Sequence, residues 1–562
     1  MSASSPQSTP EWVGVSTGNK QIDQAFQISV ALVDDLRAQY HAAGAEAGWL
    51  PVSGGVRGPL VHTSDTRDSA HAVKMAAYLW GEEPGQAAIM EEAMYLTFVD
   101  PATGRPAHPC GSGPATSMGL YFRCVADTYR YFLPGPQLAE ALRRAALTVA
   151  YTTREYDPEG SGLLDARGER DRSFWGIHLG EPSHFPTNYD PKSKAIVPTM
   201  AYAVWLRAAA ETAEAAGAPE AAELRAAFTR VWEALETRAW SDRYGYYYLQ
   251  FDRLSDKWFF SLNGLSEISR ETDIIPYYAA EMPVAPERQR CVARWLDHAL
   301  VGDRVFPMPI FYPTYAWYSP DNPNYIDHGA SKSVLGGAWD TSYFHCVALL
   351  REAGLGEALE LAVRRRAEAI ARDGDCIEWY HLDGTVDDAT GMHRDRYLVS
   401  ATAQIAATIE GLFGVTPAAP NFAAINVAPA LPLFRRYRHT VPPAPYAERD
   451  NTLRVTLPEG RRLELTVRYS ESDEILRVRT NAVGALAHFR LPVDLGARVQ
   501  EVRWAGTPLA WQPEIRLGQD FIRADHVLDG GELTVHLAPH PQLGKGTTPV
   551  MAPDGSFLGE EQ

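Results

Sequence analysis

Along most of the chain, apolar residues return at intervals of three and four; after about Asn426 they alternate one by one with polar residues. The first period belongs to a helix with a buried face, the second to a half-buried strand. The change of period predicts a long helical region followed by a shorter β region. The clearest helices are Ala195 to Ala216 and Glu220 to Thr237. Gly217-Ala218-Pro219 separates them, glycine ending one helix and proline being tolerated in the first turn of the next. Ser331 to Ala353 and Gly356 to Asp373 form a similar pair around Gly354. Further amphipathic stretches run from Gln21 to Ala43, Asp68 to Leu79, Gln86 to Phe98, Ala115 to Phe132, Pro136 to Thr152, Asp273 to Ala280, Pro286 to Leu300 and Leu398 to Phe413. Together they make about twelve helices.

Paired as hairpins, these helices predict a mainly α protein: a catalytic-sized (α/α)6 toroid over residues 21–425, after a flexible N-terminus over 1–20. Period-two segments at Leu453 to Leu457, Arg462 to Tyr469, Ile475 to Thr480, Val499 to Trp504 and Leu533 to Leu537 predict a β-sandwich over 426–543. A tail over 544–562 has little to pack. Long aromatic stretches at Tyr156 to Lys194, Trp240 to Arg270 and Val305 to Lys332 carry few helix signals. Connections of that length in a compact domain usually serve a function, and in a toroid they would gather around one mouth.

Composition narrows the partners. The chain has 562 residues and 45% hydrophobic content, with a net charge of −18. That charge opposes phosphate backbones, so nucleic acid is excluded as a partner and a neutral carbohydrate fits better. No run of about twenty apolar residues is present to span a bilayer. The five cysteines are scattered and lack metal-ligand spacing, which suits reduced, mostly buried thiols. The first residues show neither a basic nor an apolar signal region, so a cytoplasmic location is expected. Oxygen-rich ligand loops are not apparent, and no metal or other cofactor is expected.

Four segments carry candidate chemistry. In Cys376-Ile377-Glu378-Trp379-Tyr380-His381, a carboxylate adjoins two aromatic residues and a histidine ahead of the helix starting at Leu398. Sugar cleavage uses such a group for proton transfer and aromatic faces against the pyranose ring; a surface turn is the plainer account. Glycoside hydrolysis needs a second carboxyl group. Asp171 supplies one, with Phe174 and Trp175 close enough in sequence to desolvate it and raise its pKa. Glu169 is its rival, and a solvated partner for Arg170 or Arg172 is the bland alternative. Arg67-Asp68 begins a helix, where it either caps exposed amides or holds sugar hydroxyls. Gly336-Gly337-Ala338-Trp339-Asp340 opens another, its glycines permitting close approach of a ligand to the backbone, while Trp339 serves as core or as sugar platform.

The order of Arg67-Asp68, the Asp171 to Trp175 loop, Gly337-Ala338-Trp339, Glu378-Trp379-Tyr380 and the closing Ser400 to Gly414 segment resembles that of the six-hairpin glycosidases. Within them it is most similar to the inverting groups that include trehalase, processing α-glucosidases, glucosylglycerate hydrolase and α-L-rhamnosidase. The resemblance covers roughly residues 20 to 415, and the β tail is similar to that of bacterial rhamnosidase-like members. It implies Asp171 as general acid, Glu378 as general base, and Arg67 and Asp68 as ligands of the sugar in the cleavage subsite. Trp175, Trp339, Trp379, Tyr380, His381, Lys192 and Lys194 would then be pocket members. Two departures stand out: Asp65 occupies the place of the usual tryptophan before Arg67, and the Asp171 loop follows neither the trehalase nor the rhamnosidase signature closely.

Under this reading the enzyme hydrolyses an α-linked glucoside or rhamnoside of a small saccharide with inversion. A polysaccharide lyase using tyrosine and histidine, an inverting phosphorylase, and a carbohydrate-binding protein without catalysis are the alternatives. The acidic chain disfavours a polyanionic lyase substrate, and a carboxylate at Glu378 would repel bound phosphate.

Overall fold

The structure, a computed structural model, describes residues 12–42, 76–81, 96, 99–105, 130–131, 137–165, 193–248, 250–254, 256–259, 274–301, 338–377, 379–380, 398–434, 445–493, 497–516, 519–538, 548–551 and 557–561. Among them the helices are α1 (Lys20–Ala42), α2 (Leu138–Tyr156), α3 (Ile196–Ala215), α4 (Ala221–Ala234), α5 (Ile274–Glu281), α6 (Pro286–Val301), α7 (Asp340–Glu352), α8 (Gly356–Asp373) and α9 (Leu398–Ala406). Wider, π-type turns at Leu235–Ala239 and Ala407–Leu412 prolong α4 and α9, and a third spans Ala76–Trp80.

Two kinds of helix follow from two kinds of sequence. In α3, Met200, Ala203, Trp205, Leu206, Ala209 and Ala213 are all buried, and the polar residues that reach solvent, Arg207, Glu211 and Glu214, fall in its second half. In α9 even Ser400, Thr402, Gln404 and Thr408 are enclosed. A helix covered on all sides lies inside a fold, whereas an amphipathic helix lines its outside. Accordingly α4 and α8 bury single stripes, Leu224, Phe228 and Val231 in one and Leu359, Val363 and Ile370 in the other. The outward side of α8 carries the Arg364–Glu368 pair at 3.0 Å.

The inner row runs α3, α5, α7, α9, each helix touching the next. Behind it, α4 packs on α3, α6 on α5, and α8 on α7, while α1 packs on both α8 and α9. The first helix of the chain therefore meets the last. The inner-to-outer joints are short, at 216–220, 282–285 and 353–355. Between the described helices the outer-to-inner connections are long in sequence, and their described parts lie at the other end, where the inner helices begin.

At that end, short antiparallel ribbons form. There β2 (Lys194–Ala195) precedes α3, and β3 (Trp240–Ser241) pairs with β4 (Tyr246–Tyr247), whereas β1 (Gly14–Ser16), ahead of α1, belongs to the C-terminal sheet. β5 (Gln250–Asp252) lies between β2 and β6 (Lys257–Phe259). β7 (Ala338–Trp339) pairs with β8 (Trp379–Tyr380). The helical period predicted through Ser331 to Ala353 thus gives way to a strand at Ala338–Trp339, because pairing with β8 satisfies that backbone and α7 begins only at Asp340.

The C-terminal region is one continuous sheet of β9 (Val415–Pro417), β10 (Ala424–Val427), β11 (Asn451–Leu457), β12 (Arg461–Ser470), β13 (Ile475–Val493), β14 (Val499–Trp504), β15 (Thr507–Pro508), β16 (Gln512–Arg516) and β17 (Gln519–Leu537), joined by β1. β17 pairs with both halves of β13, across a register shift between Ala482 and Leu486. Beyond it, β12 covers the first half of β13 antiparallel and β10 the second half parallel.

Two expected boundaries move. Residues 14–16, placed in a flexible arm, form an edge strand with Thr452 to Arg454, since the open edge of β11 offers unpaired backbone groups. The sheet also begins at Val415 rather than after 425. Gly414 makes that early turn possible: its φ is +65°, and a Cβ there would lie 2.0 Å from the Ala428 carbonyl oxygen. Within the expected tail, β18 (Thr548–Met551) and β19 (Phe557–Glu561) form a hairpin.

The sheet docks on the end of the helical region that carries the short joints. Gly356 lies so near Ala430 that a Cβ would stand 2.6 Å from its carbonyl oxygen. The Tyr446 hydroxyl donates to Glu360 Oε1 at 2.8 Å, and Arg490 lies 3.5 Å from Glu352. The sheet thereby covers the end of the helices that carries the short joints.

Candidate active site

Trp339 and Trp379 are partners in the β7–β8 register, as are Ala338 and Tyr380. This ribbon joins two segments that the sequence presents separately: the residues just before α7, and the residues just after position 378. Both belong to outer-to-inner connections, so topology puts them at the end away from the sheet. There the inner helices present their N-termini, whose unsatisfied amides favour negative charge.

The main chain of Trp339, Trp379 and Tyr380 is described. Arg67, Asp68, Glu169, Asp171, Trp175, Lys192, Glu378 and His381 lie outside the described residues. Their positions in the chain are informative nonetheless. Asp171 and Trp175 fall between α2 and α3, and Glu378 and His381 between α8 and α9; both are outer-to-inner connections.

Lys194 is corrected by the structure. Expected in a pocket, it is 5% exposed and ion-paired through Nζ with Asp165, itself 2% exposed. The same residues form a backbone bridge, and Ala195 N–H donates to Leu164 O at 2.9 Å. Burial of the lysine stem and pairing of its charge with a carboxylate give it a structural place at the start of α3.

Below the β7–β8 ribbon sits a buried arginine that the sequence patterns do not single out. Arg366 of α8 is 0% exposed. Its Nη2 donates to the Ser400 carbonyl at 2.9 Å and to Ser400 Oγ at 2.8 Å, and its Cζ lies 4.6 Å from the centroid of the Tyr343 ring. Ser400 is in the first turn of α9 and Tyr343 in the first turn of α7. One guanidinium therefore ties the start of α7, which directly follows β7, to the start of α9. The available signal was an arginine on the apolar stripe of α8, a position where a charge is retained only with partners.

The opposite end carries a polar cavity of about 190 Å³ lined by Arg130, Tyr131, Arg207, Glu281, Arg351 and Glu410 among others. Glu410, 5% exposed, accepts hydrogen bonds from the hydroxyls of Tyr78, at 3.2 Å, and Tyr131. Arg351 donates to the Glu410 carbonyl at 3.0 Å. Burial, and secondarily the Glu410 charge, pushes the Tyr78 phenol well above its ordinary range. This cluster binds early segments of the chain to the last inner helix at its C-terminal end, where cationic arginines suit the helix dipoles. It lies away from the ribbon, next to the docked sheet.

Among the described residues, no group of three or more histidine, cysteine, aspartate or glutamate side chains is placed to hold a metal. Among them also, no helix is long and apolar enough to cross a membrane. Cys346 and Cys376 are buried, Cys376 Sγ lying 3.3 Å from Ser29 Oγ, and Cys291 is partly exposed.

No protein-family model matches the chain, and no curated protein matches it in sequence. Solved structures do. A GH78 family rhamnosidase of Bacillus sp. GL1 matches with a TM-score of 0.52 at 14% identity, over 82% of this chain and 41% of that one. Streptomyces avermitilis α-L-rhamnosidase, complexed with L-rhamnose, matches with a TM-score of 0.56 at 12% identity, over 94% of this chain and 42% of that one. In fold, the chain resembles the six-hairpin glycosidases. It spans about two fifths of the length of these two rhamnosidases.

Proposed function

We propose that this protein is a glycoside hydrolase whose helical hairpins close into an (α/α)6 ring, with the active site at the end where α7 and α9 begin. The observation that carries this reading is the pairing of Trp339 with Trp379, which sets an aromatic-rich ribbon beside position 378 at the end where the inner helices begin. The Streptomyces avermitilis α-L-rhamnosidase, which this chain resembles in fold, is complexed with L-rhamnose; that likeness supports a small α-linked rhamnoside or glucoside as substrate.

In this proposal Asp171 protonates the glycosidic oxygen while Glu378 takes a proton from a water that attacks the anomeric carbon from the opposite face, inverting it. The two carboxyl groups would stand about 6.5–9.5 Å apart, leaving room for that water. Arg67 and Asp68 hold hydroxyls of the departing glycone, and Trp175, Trp339, Trp379, Tyr380 and His381 line the subsite. Trp and Tyr suit this task because a flat apolar face packs on the sugar's C–H groups while their polar edge remains satisfied.

The test is a panel of nitrophenyl glycosides and natural disaccharides, with α-L-rhamnosides and α-glucosides included, followed by proton NMR of the first anomer released. Hydrolysis with the inverted anomer is the expected result. Asp171→Asn and Glu378→Gln should each lower kcat by about 10³-fold or more while sugar binding persists. Full activity in both variants would sink the residue assignment; a first product with retained configuration would sink the mechanism.

A further inference from the structure

We infer that Arg366 is a positioning residue for the active site, acting through the start of α7, which directly follows strand β7, and the start of α9; this rests on the function proposed above. Its guanidinium is fully buried, yet it belongs to α8, an outer helix whose other buried members are mainly apolar. A hydrophobic residue at this point would serve packing alone. An arginine is costly to bury, and here its Nη2 group and flat face do what an apolar side chain cannot. It grips both the main chain and the hydroxyl of Ser400 in α9, at 2.9 and 2.8 Å, while lying over the Tyr343 ring of α7.

The consequence follows from chain connectivity. Trp339 is one residue ahead of α7, and the connection that contains Glu378, Trp379 and Tyr380 runs from the end of α8 to the start of α9. Arg366 therefore sets the relative position of three elements: the helix that precedes the Glu378 connection, the helix that follows it, and the helix that follows the ribbon's other strand. Nη2 alone donates both bonds, to the carbonyl and the hydroxyl of one residue, and with the guanidinium plane held over Tyr343 they fix the distance of the first turn of α9 and restrict its rotation. Catalytic groups held within a fraction of an ångström depend on such supports, and displacement by about 1 Å can cost about 10²-fold in rate.

The experiment compares Arg366→Met, Arg366→Lys and Ser400→Ala with wild type and with Glu378→Gln, on whichever glycoside the panel identifies, with folded fraction determined by circular dichroism at the assay temperature. Arg366→Met should lower kcat by about 10²-fold per folded molecule with KM changed less than about threefold. Arg366→Lys, which keeps the charge but loses the fork and the flat face, should recover part of that loss. Ser400→Ala, which removes only the hydroxyl acceptor, should fold normally and lose kcat by about threefold to tenfold. A purely structural arginine would give losses that track the folded fraction, or a rise in KM equal to the fall in kcat/KM; either result overturns the inference. If Glu378→Gln is inactive while Arg366→Met and Ser400→Ala turn over at the wild-type rate, Arg366 has no positioning role although the proposed function stands. If Glu378→Gln keeps full activity, the base assignment fails and the inference about Arg366 fails with it.

Discussion

Trp339 and Trp379 are register partners in an antiparallel ribbon, one ending where α7 begins and the other following position 378. Residues directly opposite in such a ribbon influence each other by about 0.2–1 kcal/mol. Trp339→Phe and Trp379→Phe should therefore be coupled: the double variant should deviate from the product of the single effects on kcat/KM by about twofold to fivefold. A double-mutant cycle measures this, and strict multiplicativity would argue that the two positions serve the substrate independently.

The buried pair of Lys194 and Asp165 should show the asymmetry of enclosed charges. Lys194→Met or Asp165→Asn alone leaves one partner without its counterpart and should destabilise by about 3–5 kcal/mol, whereas Lys194→Met with Asp165→Leu should recover most of the loss. Urea denaturation of the three variants checks the pattern. A double variant as unstable as the singles would mean that the pair contributes specific stability that packing cannot replace.

The Glu410 cluster separates the two ends of the molecule. Glu410→Leu removes the acceptor shared by the Tyr78 and Tyr131 hydroxyls and should cost about 1–3 kcal/mol. Because the cluster lies at the end covered by the sheet, kcat per folded molecule should remain unchanged at low temperature. Thermal unfolding and steady-state kinetics on the same preparation would decide; a fall in kcat with unaltered stability would move the active site to the other end.

Glu360 predicts a pH dependence. Burial raises its pKa above the ordinary carboxylate value, with hydrogen bonding from Tyr446 and the charge of Arg364 opposing the rise and Glu368 adding to it. A carboxylate whose folded pKa exceeds its unfolded one binds the proton more tightly when folded. Its contribution is full below the unfolded value and is lost as pH rises through the folded value. Glu360→Gln should therefore gain stability relative to wild type as pH rises through that window. Melting temperatures from about pH 4, near the ordinary glutamate value, upward to about pH 8 measure it; a difference independent of pH would contradict the raised pKa.

Several features were legible in the chain because they depend on neighbours in sequence. Gly356 to Asp373 was delimited by glycines and forms α8 over the same residues; the Gly217-Ala218-Pro219 break separates α3 from α4. The alternating segments around Leu453 and Arg462 are β11 and β12. Other features were not legible. β1 joins a sheet built from residues beyond 410, β13 and β17 run far longer than their clearest alternation suggested, and Ala338–Trp339 left the helical period for a ribbon. In each case a partner remote in sequence supplied the hydrogen bonds.

The candidate site divides in the same way. The sequence by itself determined that carboxylates and aromatic residues recur in long connections, that amphipathic helices fill the first three quarters of the chain, and that a β region follows. Those properties arise from residue type and short-range periodicity, which a linear chain carries openly. Tertiary structure decided that Trp339 pairs with Trp379, that Arg366 ties the starts of α7 and α9, and that Lys194 is engaged by Asp165. These depend on which helix stands beside which, a choice made by burying apolar faces throughout the helical region at once, so no local window of residues contains it.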